Sequence, residues 1–340
     1  VLALRLTGCR LFACSFLDTL YRDNNLRERL GTYDPFPDPE NGCHRGPVRQ
    51  FVPVECDAVV FQGTTLREQQ FTELVYIHFL RLLAIAVDKE FQEAVNAAFA
   101  SCGVRVVGGA TFSRGIKGFD RMWNKMHAQD DHARLPKPRA AFNVDVVRTL
   151  ATFSTPDDMI AGFEAVRKSV FTSGYVKFKN GFSWDSDYAS TRHHLRVVLG
   201  TGFFAHPTCR TIHQLRTDAQ VSRLWTKYLA SATQKEAVQT ALQWLHGISG
   251  GTQIAVGCEV QMMLKEYTAI RFAMHEMYKI LRAETPSHLY KDFFRPIVIQ
   301  HQHAEDSPLQ KACQDGTCDK IPSLLAEYRD ELDKEMAIYD

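Results

Sequence analysis

Between Gly250-Gly251 and Glu284 the spacing of apolar positions changes period. Gln253 to Met263 is dense in apolar and β-branched residues after a glycine turn and predicts a buried strand. From Leu264 the period is helical, with Tyr267, Ile270, Met274, Met277 and Leu281 on one side. Beside that stripe Arg271, His275, Tyr278 and Arg282 fall at i, i+4, i+7 and i+11, stacked along one helix edge. Glu259 and Gln261, two apart on the strand, face the same way. A carboxylate and an amide on a buried strand are costly unless something binds them. A solvated helix edge and an edge-strand glutamate account for the same pattern.

Upstream, Leu2 to Leu30 mixes apolar clusters with arginines and predicts a helix from about Leu11, and Gly31 to Gly63 is rich in Pro, Gly and Asp without a period. Thr65 to Ala100 is strongly helical, with Glu68 three after Thr65 as in a capping box. Cys102 to Thr111 reads as a short extended piece. Phe112 to His127 returns to helix, with Arg114, Lys117, Arg121 and Lys125 at i, i+3, i+7 and i+11. One sign of charge along one edge suits a polyphosphate, although a solvated face is the ordinary explanation.

Phe142 to Phe153, carrying Asp145 and Arg148, predicts a strand, and Thr155 to Ser169 a helix with Pro156 in its first turn. Gly174 to Asn180 is a strand with Lys177 and Lys179 on one face; Arg192 to Gly200 is another, which Gly202 to Ala205 continues past a bulge. Asp218 to His246 holds two helices. The order describes an α+β domain, a mixed β-sheet of about five strands with flanking helices, between a helical N-terminal region and a C-terminal helix.

Four segments follow: 1–63, an irregular N-terminal arm with a short helix; 64–111, helical; 112–284, the α+β domain with a helical insertion at about 218–247; and 285–340, an extension ending in an acidic helix. The arm and the last helix are the expected contacts to other protein chains.

Charge narrows the classes. Lys plus Arg number 40 against 39 for Asp plus Glu, a net charge of +1, so no bulk attraction to nucleic acid or anionic membrane is expected. No uninterrupted apolar run reaches spanning length, so no transmembrane segment is expected. Nine scattered cysteines suggest a reducing intracellular compartment, and the C-x4-C pairs Cys9/Cys14 and Cys313/Cys318 match no standard zinc spacing. Five arginines among the first thirty residues, after a first residue that is not Met, suggest the remnant of an organellar precursor and hence the mitochondrial matrix.

The order of motifs from about Phe112 to Glu284 resembles the synthetase domain of the RelA/SpoT family, in its divergent eukaryotic branch. That resemblance implies a nucleotidyltransferase-like fold and Mg²⁺-dependent transfer of pyrophosphate from ATP to a guanine nucleotide. Arg114, Lys117, Arg121 and Lys125 look like the donor-phosphate segment, and Asp145 with Arg148 like the D-x-x-R strand whose Asp holds Mg²⁺. Lys179-Asn180-Gly181-Phe182 is similar to a K-N-R-F motif with Gly at its third place. Glu259 and Gln261 resemble the E-x-Q strand, with Glu259 as second metal ligand and general base. His275, Tyr278 and Arg282 resemble the H-x-x-Y-x-x-x-R helix, His275 joining Glu259 and Gln261 as catalytic and the Tyr and Arg binding nucleotide.

Two departures qualify the resemblance. The family's acceptor-stacking Tyr would fall near Ser190-Thr191-Arg192-His193, which offers no phenol, and the 218–246 helices are a long insertion. The expectation is therefore an ATP-like purine nucleotide site that keeps its metal-and-phosphate half, with degenerate transfer. The alternative is a catalytically inactive accessory subunit of a large organellar assembly.

Overall fold

The computed structural model describes residues 2–35, 65–103, 115–128, 132–171, 175–192, 194–206, 208 and 211–271. The chain divides into two units, Val1–Phe272 and Ala273–Asp340, and every described residue lies in the first. Residues 36–64, which hold the second part of the expected arm, and the expected C-terminal helix lie outside the described residues.

Four strands form one mixed sheet: β1 (Val147–Phe153), β2 (Tyr175–Asn180), β3 (Val198–Phe204) and β4 (Val256–Leu264), in the order β1-β4-β3-β2. β4 runs parallel to β1 and antiparallel to β3, and β3 is antiparallel to β2. About five strands were expected; four are present among the described residues. The strand expected from Arg192, continued by Gly202 to Ala205 past a bulge, is β3; it begins later than expected and pairs with β4 through Gly202 without a break.

Around the sheet lie α1 (Leu2–Asp23), α2 (Leu66–Ser101), α3 (Phe119–His127), α4 (Pro156–Ser169), α5 (Ser186–Thr191), α6 (Ile212–Thr217), α7 (Ala219–Ser231) and α8 (Lys235–Gly247). The α+β class expected from the sequence is thus observed. α2 starts at the expected capping box, with the Thr65 hydroxyl accepting from the Glu68 N–H and the Glu68 carboxylate accepting from the Thr65 N–H. α4 starts behind Thr155, with Pro156 in its first turn.

α2 is the axis of the unit. It packs against β1, β4, α4, α7 and α8, burying Val75, Phe79, Leu83, Val87 and Phe91. By length and composition it could cross a bilayer, yet 72% of its most apolar stretch is buried inside the fold, as in the core helix of a globular unit. Its one deeply buried acid, Glu73, is held by Arg139: Oε1 accepts from Arg139 Nε at 2.8 Å, and Oε2 from Nη2 at 2.5 Å. That pairing satisfies two charges that could not stand alone in the core.

The described end of the N-terminal region is built into the unit. Leu17, Leu26 and Leu30 are buried, and a π-helical turn follows at Arg27–Gly31. Tyr21 donates its hydroxyl to the Phe182 carbonyl at 2.7 Å, and Asn180 Nδ2 donates to the Leu30 carbonyl at 2.6 Å. The Arg196 guanidinium lies 3.6 Å from the Tyr21 ring centroid and donates to the carbonyls of Gly181 and Trp184, both at 3.0 Å.

Candidate functional site

Side chains alternate along each strand, so the register assigns them to faces. Val147, Thr149, Ala151, Cys258, Val260 and Met262 share the apolar face beneath α2 and α4. The opposite face carries the polar set. Arg148, Glu259, Thr201 and Lys177 stand in one row across the four strands, and Leu150, Gln261, Leu199 and Lys179 in the next. Glu259 and Gln261 are buried at the centre, while Lys177 and Lys179 are exposed at the β2 edge. Gln261 Nε2 donates to Glu259 Oε1 at 2.5 Å, as expected for neighbours on one face.

Asp145 reaches this cluster from the bend ahead of β1. The main chain of residues 115–117 runs beside that strand: Arg148 N–H donates to the Gly115 carbonyl at 2.6 Å and Lys117 N–H to the Val146 carbonyl at 2.7 Å. A Cβ at Gly115 would stand 2.2 Å from Asp88 Oδ1 and 2.6 Å from Gln92 Nε2, so a larger residue there must displace those side chains. The helix expected from Phe112 therefore starts at Phe119, after Gly118, and Lys117 sits on extended backbone. Even so, Lys117 and Lys125 meet on one carboxylate. Lys117 Nζ lies 2.6 Å from Asp145 Oδ2, and Lys125 Nζ lies 3.3 Å from Oδ1.

The groups act on one another electrically. Burial lifts the Glu259 pKa above the usual carboxylate range, and the Asp145 charge lifts it further against the Gln261 hydrogen bond. Burial also pushes Asp145 up, but Lys117 and Lys125 outweigh it and hold the carboxyl well below its ordinary value. Burial lowers Lys117 to about 8, although Asp145 opposes the shift. Three cations, Lys117, Lys125 and Arg148, act on the two acids, Asp145 and Glu259.

Mg²⁺, implied by the resemblance at Asp145 and Glu259, does not fit this donor set. Each Asp145 oxygen faces an ammonium, and the buried Glu259 carboxyl, its pKa raised by burial, already accepts from Gln261. Among the described residues no group of three or more His, Cys, Asp or Glu side chains is arranged to hold a metal.

Of the other expected site residues, Arg121 is exposed on α3, whereas Arg114, His275, Tyr278 and Arg282 lie outside the described residues. Residues 265–271 are helical, as expected after the strand, and Arg271 donates to Met263 Sδ at 3.3 Å. Ser190 and Thr191 belong to α5 and not to a strand. Tyr188 on that helix is 45% exposed, its ring edge-on to Trp184 at 5.3 Å and beneath the Arg192 guanidinium at 5.6 Å.

Sequence reasoning missed Lys177 as a site residue, although its alternation with Lys179 announced the shared face. It also missed the grip of Lys117 and Lys125 on Asp145, for which no sequence pattern exists. No family model matches the chain, and neither does a curated protein or a solved structure.

Proposed function

We propose that the unit binds the polyphosphate of an ATP-like purine nucleotide at the polar face of its sheet, in a degenerate site of the RelA/SpoT-like kind. The observation that carries this reading is the convergence of Asp145 and Glu259, from segments far apart in the chain, beside Lys117, Lys125 and Arg148. Cationic side chains grouped on one face offer charge-assisted contacts to a phosphate. Lys177 and Lys179, on the same face at the β2 edge, extend the positive surface along which a phosphate chain would lie.

Binding without transfer is the favoured form. Asp145 is committed to two lysines, and no described ring stands where the family stacks its acceptor base. Glu259 is the one group suited to accept a hydroxyl proton, because burial makes its carboxylate a stronger base. The accessory-subunit alternative draws on the irregular stretch of the arm and on the C-terminal helix; residues 36–64 and that helix lie outside the described residues.

The test is purified chain incubated with labelled ATP and a panel of nucleoside and nucleotide acceptors, beside Glu259→Gln. ATP is expected to bind both proteins, with no transferred label from either. Label transferred by the native chain and lost in Glu259→Gln would establish turnover. Absence of ATP binding to the native chain would remove the reading.

A further inference from the structure

We propose that Lys117 is the resident counter-cation of this site, taking the place against Asp145 that the RelA/SpoT resemblance gives to Mg²⁺, so that polyphosphate binds here without a divalent ion. The inference rests on the polyphosphate reading above and goes beyond it by naming what neutralises the ligand.

Three observations carry it. First, Lys117 is only 4% exposed, and its ammonium touches Asp145 Oδ2 while Lys125 approaches Oδ1. A Mg²⁺ ion needs oxygen ligands at about 2 Å, which on this carboxylate would press it against two ammonium charges. Second, Lys117 is not a tethered surface side chain. Its N–H donates to Val146, Ile116 bridges to Val147, and α3 begins two residues later, so the backbone holds the amine in place. Third, the neighbouring acid is unsuited to a metal. Glu259 is buried, accepts from Gln261 at 2.5 Å, and pairs in register with Arg148, another cation.

An anion that reaches the polar face thus meets Lys117 and Lys125 on Asp145 with Arg148 beside them. A free magnesium ion meets the same charges and is repelled. Lysine serves phosphate groups as a point charge and imposes no octahedral geometry on them.

The experiment is calorimetric titration of the purified chain with sodium tripolyphosphate and with ATP, in EDTA and then with Mg²⁺ present. Saturable binding is expected in EDTA, with no tightening when Mg²⁺ is added. Lys117→Met is expected to weaken binding in EDTA by about tenfold or more, the loss of one charge-assisted contact. Since that change strands Asp145, the double variant Lys117→Met/Asp145→Asn, checked for a native circular dichroism spectrum, repeats the measurement with the pair neutralised. Binding that needs Mg²⁺, or that tightens more than about threefold with it, overturns the counter-cation while leaving the polyphosphate reading standing. Equal affinity of the native chain and a folded Lys117 variant overturns it as well. No binding with or without Mg²⁺ removes both.

Discussion

Gly257 and Val144 pass so close that a Cβ on Gly257 would stand 2.5 Å from the Val144 carbonyl oxygen and 2.8 Å from its Cα. The contact lies where β4 begins and where the segment bearing Asp145 approaches it, with Val146 N–H donating to the Gly257 carbonyl at 3.2 Å. Both clashing atoms are backbone, so relief requires a shift of the main chain beside Asp145. Gly257→Ala is expected to lower unfolding free energy by about 2 kcal/mol or more in urea and to weaken polyphosphate binding with it. A variant as stable as the native chain would contradict this packing.

Lys117 gives the site a pH dependence. Its amine is held at about 8 by burial, so the positive charge present at neutral pH is lost as pH rises through that value. Polyphosphate affinity is expected to fall between about pH 7 and about pH 9.5, while a lysine of ordinary pKa would stay charged over most of that range. Lys117→Arg keeps its charge and should flatten the profile. A native profile that is already flat would count against the ammonium as a ligand contact.

His78 supplies a different pH signature, in stability. It is buried on α2, stacked on Phe119 at 5.0 Å, with Nδ1 2.8 Å from the Tyr228 hydroxyl and Nε2 2.9 Å from Gln234 Oε1. Burial first, then the Arg81 charge, lowers its pKa from 6.5 to about 4, and the Gln234 bond only partly opposes them. Below 6.5 the unfolded chain takes up a proton that the folded chain refuses. Stability therefore falls as pH drops from 6.5 to about 4 and levels off beneath, a loss of about 3 kcal/mol from this group. Urea midpoints across that interval should show the slope, and His78→Gln should remove it.

The Glu73–Arg139 pair ties α2 to the segment leading into β1, and Arg139 Nη1 also donates to the Met126 carbonyl at 3.3 Å. Glu73→Gln leaves a half-buried guanidinium without its counter-charge and is expected to cost about 2 kcal/mol by urea unfolding. A cost below about 1 kcal/mol, the range of exposed pairs, would mean the pair is solvated.

Local signals made much of this legible from sequence. The Thr65/Glu68 box and the Thr155-Pro156 start marked α2 and α4 because capping is a near-neighbour matter. The E-x-Q alternation put Glu259 and Gln261 on one face because strand period is rigid. The start of α3 was misread because a helical spacing of cations says nothing about Gly115 and Gly118, where the chain stays extended to lie beside β1. Gly202 suggested a bulge, yet it serves to admit the Phe171 ring, which a Cβ there would meet at 2.5 Å. Lys117 and Asp145 stand 28 residues apart in the chain, and their convergence depends on the backbone pairing of 115–117 with β1, which leaves no mark in spacing.

The most direct measurement is nitrogen NMR of lysine-labelled chain titrated with tripolyphosphate, following the side-chain ammonium signals. The account predicts that the Lys117 and Lys125 resonances move saturably, while that of Lys89, an exposed lysine paired with Glu93 on α2, stays still. Movement of the exposed lysines alone, with Lys117 unchanged at saturating ligand, would contradict a polyphosphate site built around Asp145.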